Sequence, residues 1–341
     1  MTNIYEATAE RMQSYYQFAD EIVDNVANVA AEQAGMSAEQ FYDRYSIPEP
    51  QQIHLNGSRY PISVLDIKPQ VDYDPAQVRV MHLAMGNGLD SNQRYQVATV
   101  FAADPTVRTV AFGNPGAPGN RQGLLSVKDT LQVARGNTRP LVDASLRYLS
   151  TSGAIETEQD GYSYGTLAAN TATEHAEKYD MNVSQVTNIE PADVKARGIK
   201  LKALATLAAD FGKTGSALKG YVEANEIDAF VEERGDSILG MAGYILGLGR
   251  FNNIARTSAM ANDMYEMRSE RALLAQPDAR MHTVWGSESE LAVDGAMNLL
   301  SCRMRIRFPD RYSSTRIQGQ KHAMVNDLAL QSALLQHARQ I

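Results

Sequence analysis

The stretch Gly161-Tyr162-Ser163-Tyr164-Gly165, followed by Thr166-Leu167-Ala168-Ala169-Asn170, decides the fold that the sequence predicts. Glycine stands two positions before Ser163 and two positions after it. Neighbours this small are needed where a chain turns sharply from a strand into a helix, because the central residue then has a strained backbone. The pattern predicts that Ser163 lies at a helix N-terminus, where backbone N–H groups and the helix dipole favour developing negative charge.

Composition restricts the class of protein. The chain has 341 residues, 44% of them hydrophobic and 21% charged, which is enough for one large core with an insertion. The net charge of −8, without clustered Lys and Arg, argues against a nucleic-acid partner.

Targeting signals are not visible in the sequence. No stretch approaches the roughly 18 apolar residues of a membrane helix, and residues 1–20 lack the basic and apolar regions of a signal peptide. The single cysteine, Cys302, fits a reducing compartment. We therefore expect a cytoplasmic protein without a membrane span, and a protein released by lysis or held in a virus particle is the alternative.

The chain divides into three predicted parts. Apolar residues at helical spacing predict an N-terminal helical arm over residues 1–48, which could dock on a partner or form a homo-oligomer. Strands alternating with helices over residues 49–197 and 281–341 predict an α/β core, a mostly parallel sheet flanked by helices. The helical stretch between them, residues 198–280, is too long for a connection and predicts an inserted cap.

The core elements are predicted individually. Residues 52–67 are typical of a hairpin with its turn at Asn56-Gly57. The segment before Ser163, residues 155–160, is polar where a central strand is normally apolar. Other strands are predicted near residues 78–84, 106–112, 186–190, 281–286 and 313–317, and helices near residues 126–149, 166–179, 295–304 and 323–339.

A Gly-x-Ser-x-Gly pentapeptide also arises in plain loops, so Ser163 needs a base, an acid and oxyanion donors to act as a nucleophile. His322 follows the last predicted strand and precedes the last helix, which places it at the same sheet edge as Ser163. The other five histidines lie within or beside predicted strands and on helices. The oxyanion donors would be the backbone N–H groups of Tyr164 and of Asn87, in the loop Met85-Gly86-Asn87-Gly88.

The acid has three candidates. Glu288 and Glu290 lie in the loop after the predicted strand 281–286, and Glu190 ends the strand that follows the nucleophile helix. We favour Glu288 at this point, with Glu290 and Glu190 as the alternatives. All three could equally be solvated loop charges.

From about Ile53 to its C-terminus the chain resembles the α/β-hydrolase family. The resemblance rests on the order and spacing of six motifs, and three positions depart from the family pattern: the polar strand 155–160, Met85 where a histidine is common, and Ser289 where an aspartate is common. The motifs are Gly86-Asn87-Gly88, Asn114-Pro115-Gly116, Gly161 to Gly165, Ile189-Glu190-Pro191, Trp285-Gly286 and Gly319 to His322.

The resemblance implies a serine hydrolase that cleaves an ester or related acyl bond, with Ser163, His322 and an acid acting as a catalytic triad through an acyl-enzyme. The implied substrate is a small ester with an apolar acyl group, covered by the cap, and no cofactor is implied. The histidines and carboxylates lack the close spacings of a zinc or calcium site, so no metal is expected. The alternatives are a non-catalytic scaffold used for binding or assembly, and a lyase or cofactor-free haloperoxidase with the same triad.

Overall fold

A computed structural model describes residues 38–83, 89, 91–113, 125–163, 165–191, 265–289, 291–320 and 328–340. Eight strands form one sheet in the order β1-β2-β4-β3-β5-β6-β7-β8. Their bounds are β1 Gln51–Ile53, β2 Ile62–Ile67, β3 Gln77–His82, β4 Arg108–Gly113, β5 Glu156–Tyr162, β6 Asn182–Ile189, β7 Arg280–Gly286 and β8 Tyr312–Ile317.

The sheet is mostly parallel, as the sequence predicts. Strands β1 and β2 form the predicted hairpin, in which Gln51 pairs with Val64, and β2 is antiparallel to β4. All pairings from β4 across to β8 are parallel. Gly57, in the hairpin turn, has a φ of 78°, a left-handed conformation that glycine adopts without a Cβ clash.

Helices cover both faces of the sheet. Successive residues of a buried parallel strand point to opposite faces, so both faces carry apolar side chains that the helices remove from water. In β4, Val110 and Phe112 pack into one hydrophobic cluster and Ala111 into the other. Helices α1, α2 and α8 contribute to the second cluster, and α3 to α7 to the first. Their bounds are α1 Ala38–Arg44, α2 Ser91–Ala103, α3 Val127–Ala134, α4 Asp143–Thr151, α5 Gly165–His175, α6 Tyr265–Ala275, α7 Asp294–Arg307 and α8 Leu328–Gln340.

Two helix predictions differ from the structure. The single helix predicted over residues 126–149 is two helices, α3 and α4, because Gly136 has a φ of 95° and Pro140 begins a new turn inside the short 3₁₀ helix Arg139–Leu141. Helix α2 has no counterpart in the prediction. Among the described residues, no helix is both long and apolar enough to cross a bilayer.

The predicted cap extends too far towards the C-terminus. Helix α6 lies inside the segment assigned to the cap, residues 198–280, yet Ala272 and Leu273 are fully buried in the same cluster as Trp285. Residues 265–280 therefore belong to the core. The remainder of the predicted cap up to residue 264 lies outside the described residues.

The end of the predicted N-terminal arm also belongs to the core. Phe41 and Tyr42 of α1 and the nearby Ile47 are buried in the cluster formed with α2 and α8. The Arg94 guanidinium lies 3.8 Å from the centre of the Tyr42 ring, and its Nη2 donates to the carbonyl of Ile47 at 3.1 Å. The first 37 residues of the arm lie outside the described residues.

We predict that Phe41→Ala lowers the free energy of unfolding by about 3 to 5 kcal/mol, because it leaves a cavity under α1. Asp43→Ala is the matched control, since Asp43 is exposed on the same helix and its loss should change stability by less than about 0.5 kcal/mol. Urea unfolding measures both. Equal free energies of unfolding for the two variants would show that α1 is not part of the core.

The polar strand β5 lies between β3 and β6, and most of its side chains are buried. On the face covered by α5, Gln159 contacts His82 Nε2 at 2.7 Å and donates to Thr157 Oγ1 at 2.9 Å. Burial lowers the pKa of His82 to about 4, although Gln159 opposes the shift, so this histidine is neutral near pH 7. Hydrogen bonds between side chains thus replace apolar packing on this face.

On the other face of β5 the polar side chains form a charge network centred on Arg79, which is almost fully buried. Arg79 Nη2 donates to Asp104 at 2.9 Å, and its Nε lies 3.7 Å from Glu158 and 3.8 Å from Asp160. Arg339 of α8 donates to Asp104 at 2.7 Å and to Glu158 at 2.6 Å. The network therefore joins α8, β3, β5 and the residue that follows α2.

The network shifts the pKa values of its carboxyl groups in opposite directions. Burial, reinforced by Glu158, raises the pKa of Asp160 to about 7 against the opposing effect of Arg79. Burial also acts to raise the pKa of Asp104, but Arg79 and Arg339 outweigh it and hold that pKa at about 2. Asp160 is thus the carboxyl group of the network that takes up a proton on folding.

We predict that Asp160→Asn changes the pH dependence of stability. An ordinary aspartate titrates near pH 4 in the unfolded chain, so folding of the wild type takes up a proton between about pH 4 and pH 7. The contribution of Asp160 to the free energy of unfolding therefore falls as the pH rises through this interval. Asp160→Asn removes the contribution of this titration. The free energy of unfolding of the variant relative to that of wild type should therefore increase from about pH 4 to pH 7 in urea titrations. Parallel stability curves for the two proteins would contradict the assignment.

Candidate active site

Ser163 stands at the predicted strand-to-helix turn. Strand β5 ends at Tyr162 and α5 begins at Gly165, and Ser163 between them has a φ of 53°, the strained left-handed backbone expected at this position. The Ser163 N–H donates to the carbonyl of Ile189 at 2.8 Å, which ties the turn to the neighbouring strand β6. The residue is mostly buried at the carboxyl edge of the sheet.

The two glycines around Ser163 are required by close backbone contacts, as the sequence predicts. A Cβ on Gly161 would lie 2.7 Å from Cα of Thr166. A Cβ on Gly165 would overlap the carbonyl of His82 and lie 2.7 Å from that of Leu83. Helix α5 therefore starts directly against the end of β3, where the chain enters the segment that carries Asn87.

We predict that Gly165→Ala destabilises the protein by at least about 1 to 3 kcal/mol, because the added methyl group meets backbone atoms that cannot move aside independently. The matched control is Gly295→Ala. A Cβ at Gly295, in helix α7, meets no atom within 4 Å, so this change should be neutral or stabilise by up to about 1 kcal/mol. Thermal unfolding compares the two, and equal melting temperatures would contradict the contact at Gly165.

Glu190 follows β6 as Ser163 follows β5. Its φ is 51°, its N–H donates to the carbonyl of Val284 at 2.8 Å, and its side chain has no solvent-exposed surface. The Gly286 N–H donates to its Oε1, and the Ser289 hydroxyl donates to its Oε2. The carboxylate is thus buried with both oxygens hydrogen-bonded, the state that a buried charge requires.

The pairing of β5 with β6 makes Ser163 and Glu190 neighbours. Tyr162 pairs with Ile189 in the parallel ladder, and Ser163 and Glu190 are the next residue of each strand. Adjacent strands lie about 5 Å apart, so these two left-handed residues stand side by side at the carboxyl edge of the sheet. Such strained non-glycine residues cluster at functional sites.

Glu288, the acid that the sequence favours, has an exposed side chain. Its backbone, by contrast, helps to hold the chain before His322, since the Glu288 N–H donates to the carbonyl of Gln320 at 2.9 Å. A Cβ on Gly286 would overlap the same carbonyl. The loop after β7 therefore fixes Gln320, two residues before His322, close to Gly286 and hence to Glu190.

The other predicted site residues, His322, Tyr164, Asn87 and Glu290, lie outside the described residues. Their roles therefore stay predictions. Among the described residues, no group of three or more His, Cys, Asp or Glu side chains is arranged to hold a metal ion.

Comparison of the sequence finds no matching family model and no significant match among curated proteins. Comparison of the structure finds many similar chains. A proline iminopeptidase of Mycobacterium smegmatis matches with a TM-score of 0.50 and 14% identity, over 84% of this chain and 100% of the other. The chain has the α/β-hydrolase fold.

Two further solved structures match with lower TM-scores. An α/β serine hydrolase homologue from Coxiella burnetii matches with a TM-score of 0.45 and 13% identity, over 86% of this chain and 99% of the other. A Vigna radiata epoxide hydrolase mutant matches with a TM-score of 0.48 and 10% identity, over 86% and 99%. The fold that the motifs predict is thus confirmed.

The interaction that sequence reasoning missed is the one between Glu190 and Ser289. A signal for it was present, because Ser289 occupies a position where an aspartate is common in this family. In the structure the Ser289 hydroxyl donates a hydrogen bond to the carboxylate of Glu190, which follows β6. The sequence signal for this contact is the serine at position 289 together with a carboxylate at the end of the neighbouring strand.

Proposed function

We propose that the protein is a serine hydrolase in which Ser163 is the nucleophile, His322 the general base and Glu190 the acid that orients the histidine. The observation that carries the proposal is the pairing of two strained residues at adjacent strand ends, a serine at a helix N-terminus and a buried carboxylate. Nucleophile and acid thus come from neighbouring strands. The base is expected on the chain that leaves Gln320.

In the proposed reaction, the Ser163 hydroxyl attacks the carbonyl carbon of an ester as His322 takes its proton. The oxyanion of the tetrahedral intermediate would accept hydrogen bonds from the backbone N–H groups of Tyr164 and Asn87. His322 then gives the proton to the leaving alcohol, which leaves an acyl group on Ser163. Water activated by the same histidine releases the acid and restores the serine.

Glu190 suits the orienting role better than Glu288 for electrostatic reasons. An acid that fixes a histidine tautomer and stabilises the imidazolium acts most strongly where water is excluded. Glu190 is fully buried and Glu288 is exposed. The hydrogen bonds from Gly286 and Ser289 also hold the Glu190 carboxylate in one orientation. We therefore assign the acid of the proposed triad to Glu190 and not to Glu288.

The proposed substrate is a small ester with an apolar acyl group, or a related acyl compound. Only the helical spacing of six apolar residues in the predicted cap supports an apolar pocket. These residues lie outside the described part of the chain. They are Met241, Tyr244, Ile245, Leu246, Leu248 and Phe251.

The nucleophile and base are tested with a fluorophosphonate probe, which labels activated serines, and with nitrophenyl esters of increasing acyl length. We predict that the wild type is labelled and turns over the esters, and that Ser163→Ala and His322→Ala each abolish both, because neither retains an activated serine. A folded wild type that is not labelled would instead support the scaffold alternative.

The acid is tested with a matched pair of variants. We predict that Glu190→Gln lowers kcat/KM by about 10³ to 10⁴-fold, as expected when a triad acid no longer orients its histidine. Glu288→Gln, the same change on an exposed side chain, should leave kcat/KM within about twofold of wild type. Thermal unfolding shows whether each variant is folded. A large loss of activity in Glu288→Gln with an active Glu190→Gln would return the assignment to Glu288.

A further inference from the structure

A cavity of about 310 Å³ lies between the turn of the β1–β2 hairpin and the segment that joins α3 to α4. Arg59 and Tyr60 of the hairpin line one side, and Asp129, Arg139 and Asp143 line the other. None of its lining residues belongs to the proposed triad or to the loop after β7. The cavity is therefore a separate place in the molecule.

The Asp129 carboxylate in this cavity is saturated by donors of the chain itself. Arg59 Nη1 lies 2.7 Å from one carboxylate oxygen and 2.6 Å from the other. The Tyr60 hydroxyl and the Ser126 hydroxyl also donate to Asp129. Asp129 is almost fully buried, so it anchors Arg59 at the cavity wall and offers little to a cation.

The Asp143 carboxylate is saturated in the same way. It accepts from the Tyr179 hydroxyl, from Arg147 Nε at 2.9 Å and, more weakly, from Arg139 Nη2 at 3.5 Å. Arg147 Nη1 reaches the opposite wall, since it lies 3.3 Å from the position that a Cβ on Gly57 would occupy. Both carboxylates of the cavity therefore serve as internal anchors.

The two guanidinium groups that line the cavity, those of Arg59 and Arg139, retain donors for a ligand. Each has five N–H donors, and the contacts just described use one nitrogen of each. The side chains of Arg59 and Arg139 are 60% and 45% exposed. Because Arg147 pairs with Asp143 at 2.9 Å, the charge of the more distant Arg139 is only weakly compensated, and its forked donors match carboxylate and phosphate groups.

We propose that this cavity binds a small organic anion, whose carboxylate or phosphate group accepts hydrogen bonds from Arg59 and Arg139. The ring of Tyr60 and the side chains of Pro140 and Ala144 supply an apolar wall for the rest of the ligand. A cavity of this size is at the lower end of small-molecule sites. The proposal is independent of the function proposed for Ser163.

The experiment is isothermal titration calorimetry of the full chain with phenyl phosphate, benzoate and, as an uncharged analogue, benzyl alcohol. The variants are Arg59→Gln and Arg139→Gln. Arg303→Gln is the matched control, since Arg303 is 58% exposed and paired with Glu266 on the surface of α7. Ser163→Ala controls for binding at the proposed active site.

We expect at least one of the two anions to bind and benzyl alcohol not to bind. Arg59→Gln and Arg139→Gln should each weaken binding by about tenfold or more, since each removes a charge-assisted hydrogen bond. Arg303→Gln and Ser163→Ala should leave the affinity within about twofold of wild type. Binding of phenyl phosphate alone would identify a phosphate ligand, and binding of benzoate alone a carboxylate ligand.

Three results would overturn the proposal: no binding of either anion, equal weakening by Arg303→Gln, or loss of binding in Ser163→Ala. If Arg139→Gln is unfolded by circular dichroism, Arg139→Lys replaces it. That variant keeps the charge but loses the forked donor, so it should still weaken binding. Unchanged affinity in a folded Arg139→Lys and in Arg59→Gln would also contradict the site.

Discussion

The buried guanidinium of Arg79 is the interaction on which the centre of the molecule depends. A cation removed from water costs several kcal/mol unless carboxylates and hydrogen bonds compensate it. Asp104 and Glu158 supply the negative charge for that compensation, Asp160 lies 3.8 Å from Arg79 Nε, and Arg339 completes the network from the C-terminal helix. Because the network joins β3, β5, α8 and the residue that follows α2, it fixes how α2 and α8 lie on the central strands.

The same network accounts for the unusual composition of β5. A central parallel strand is normally apolar because helices cover both of its faces. Here Gln159 and His82 form a hydrogen bond on one face, and Arg79 pairs with Glu158 and lies near Asp160 on the other. The polar strand therefore has the position of an ordinary central strand. Its polar composition does not favour a non-catalytic scaffold over an enzyme.

The candidate active site depends on strain at the carboxyl edge of the sheet. Left-handed backbone at Ser163 and Glu190 costs on the order of 1 to 3 kcal/mol each. Backbone hydrogen bonds to Ile189 and Val284 hold both residues, and Gly165 leaves room for the end of β3. The pairing of β5 with β6 places this serine and this buried carboxylate on adjacent strand ends, and the loop after β7 holds Gln320 near them.

The sequence by itself determined the order of the strands, the turn at Ser163 and the hairpin at Asn56-Gly57, and the resemblance of its motifs indicated the α/β-hydrolase fold. These features follow from local requirements, such as small residues in a strained turn and the alternation of elements in a parallel sheet. The break between α3 and α4 was also encoded locally, in Gly136 and Pro140, although the helical pattern obscured it.

Only the tertiary structure decided that Glu190 is buried and Glu288 exposed, that α1 and α6 pack in the core, and why a polar strand can be central. Glu190, Glu288 and Glu290 are alike in sequence, because each is a carboxylate after a strand. Burial of Glu190 depends on Gly286 and Ser289, which are almost a hundred positions away in the chain. Contacts between such distant residues set the solvation of a charge, and local sequence carries little information about them.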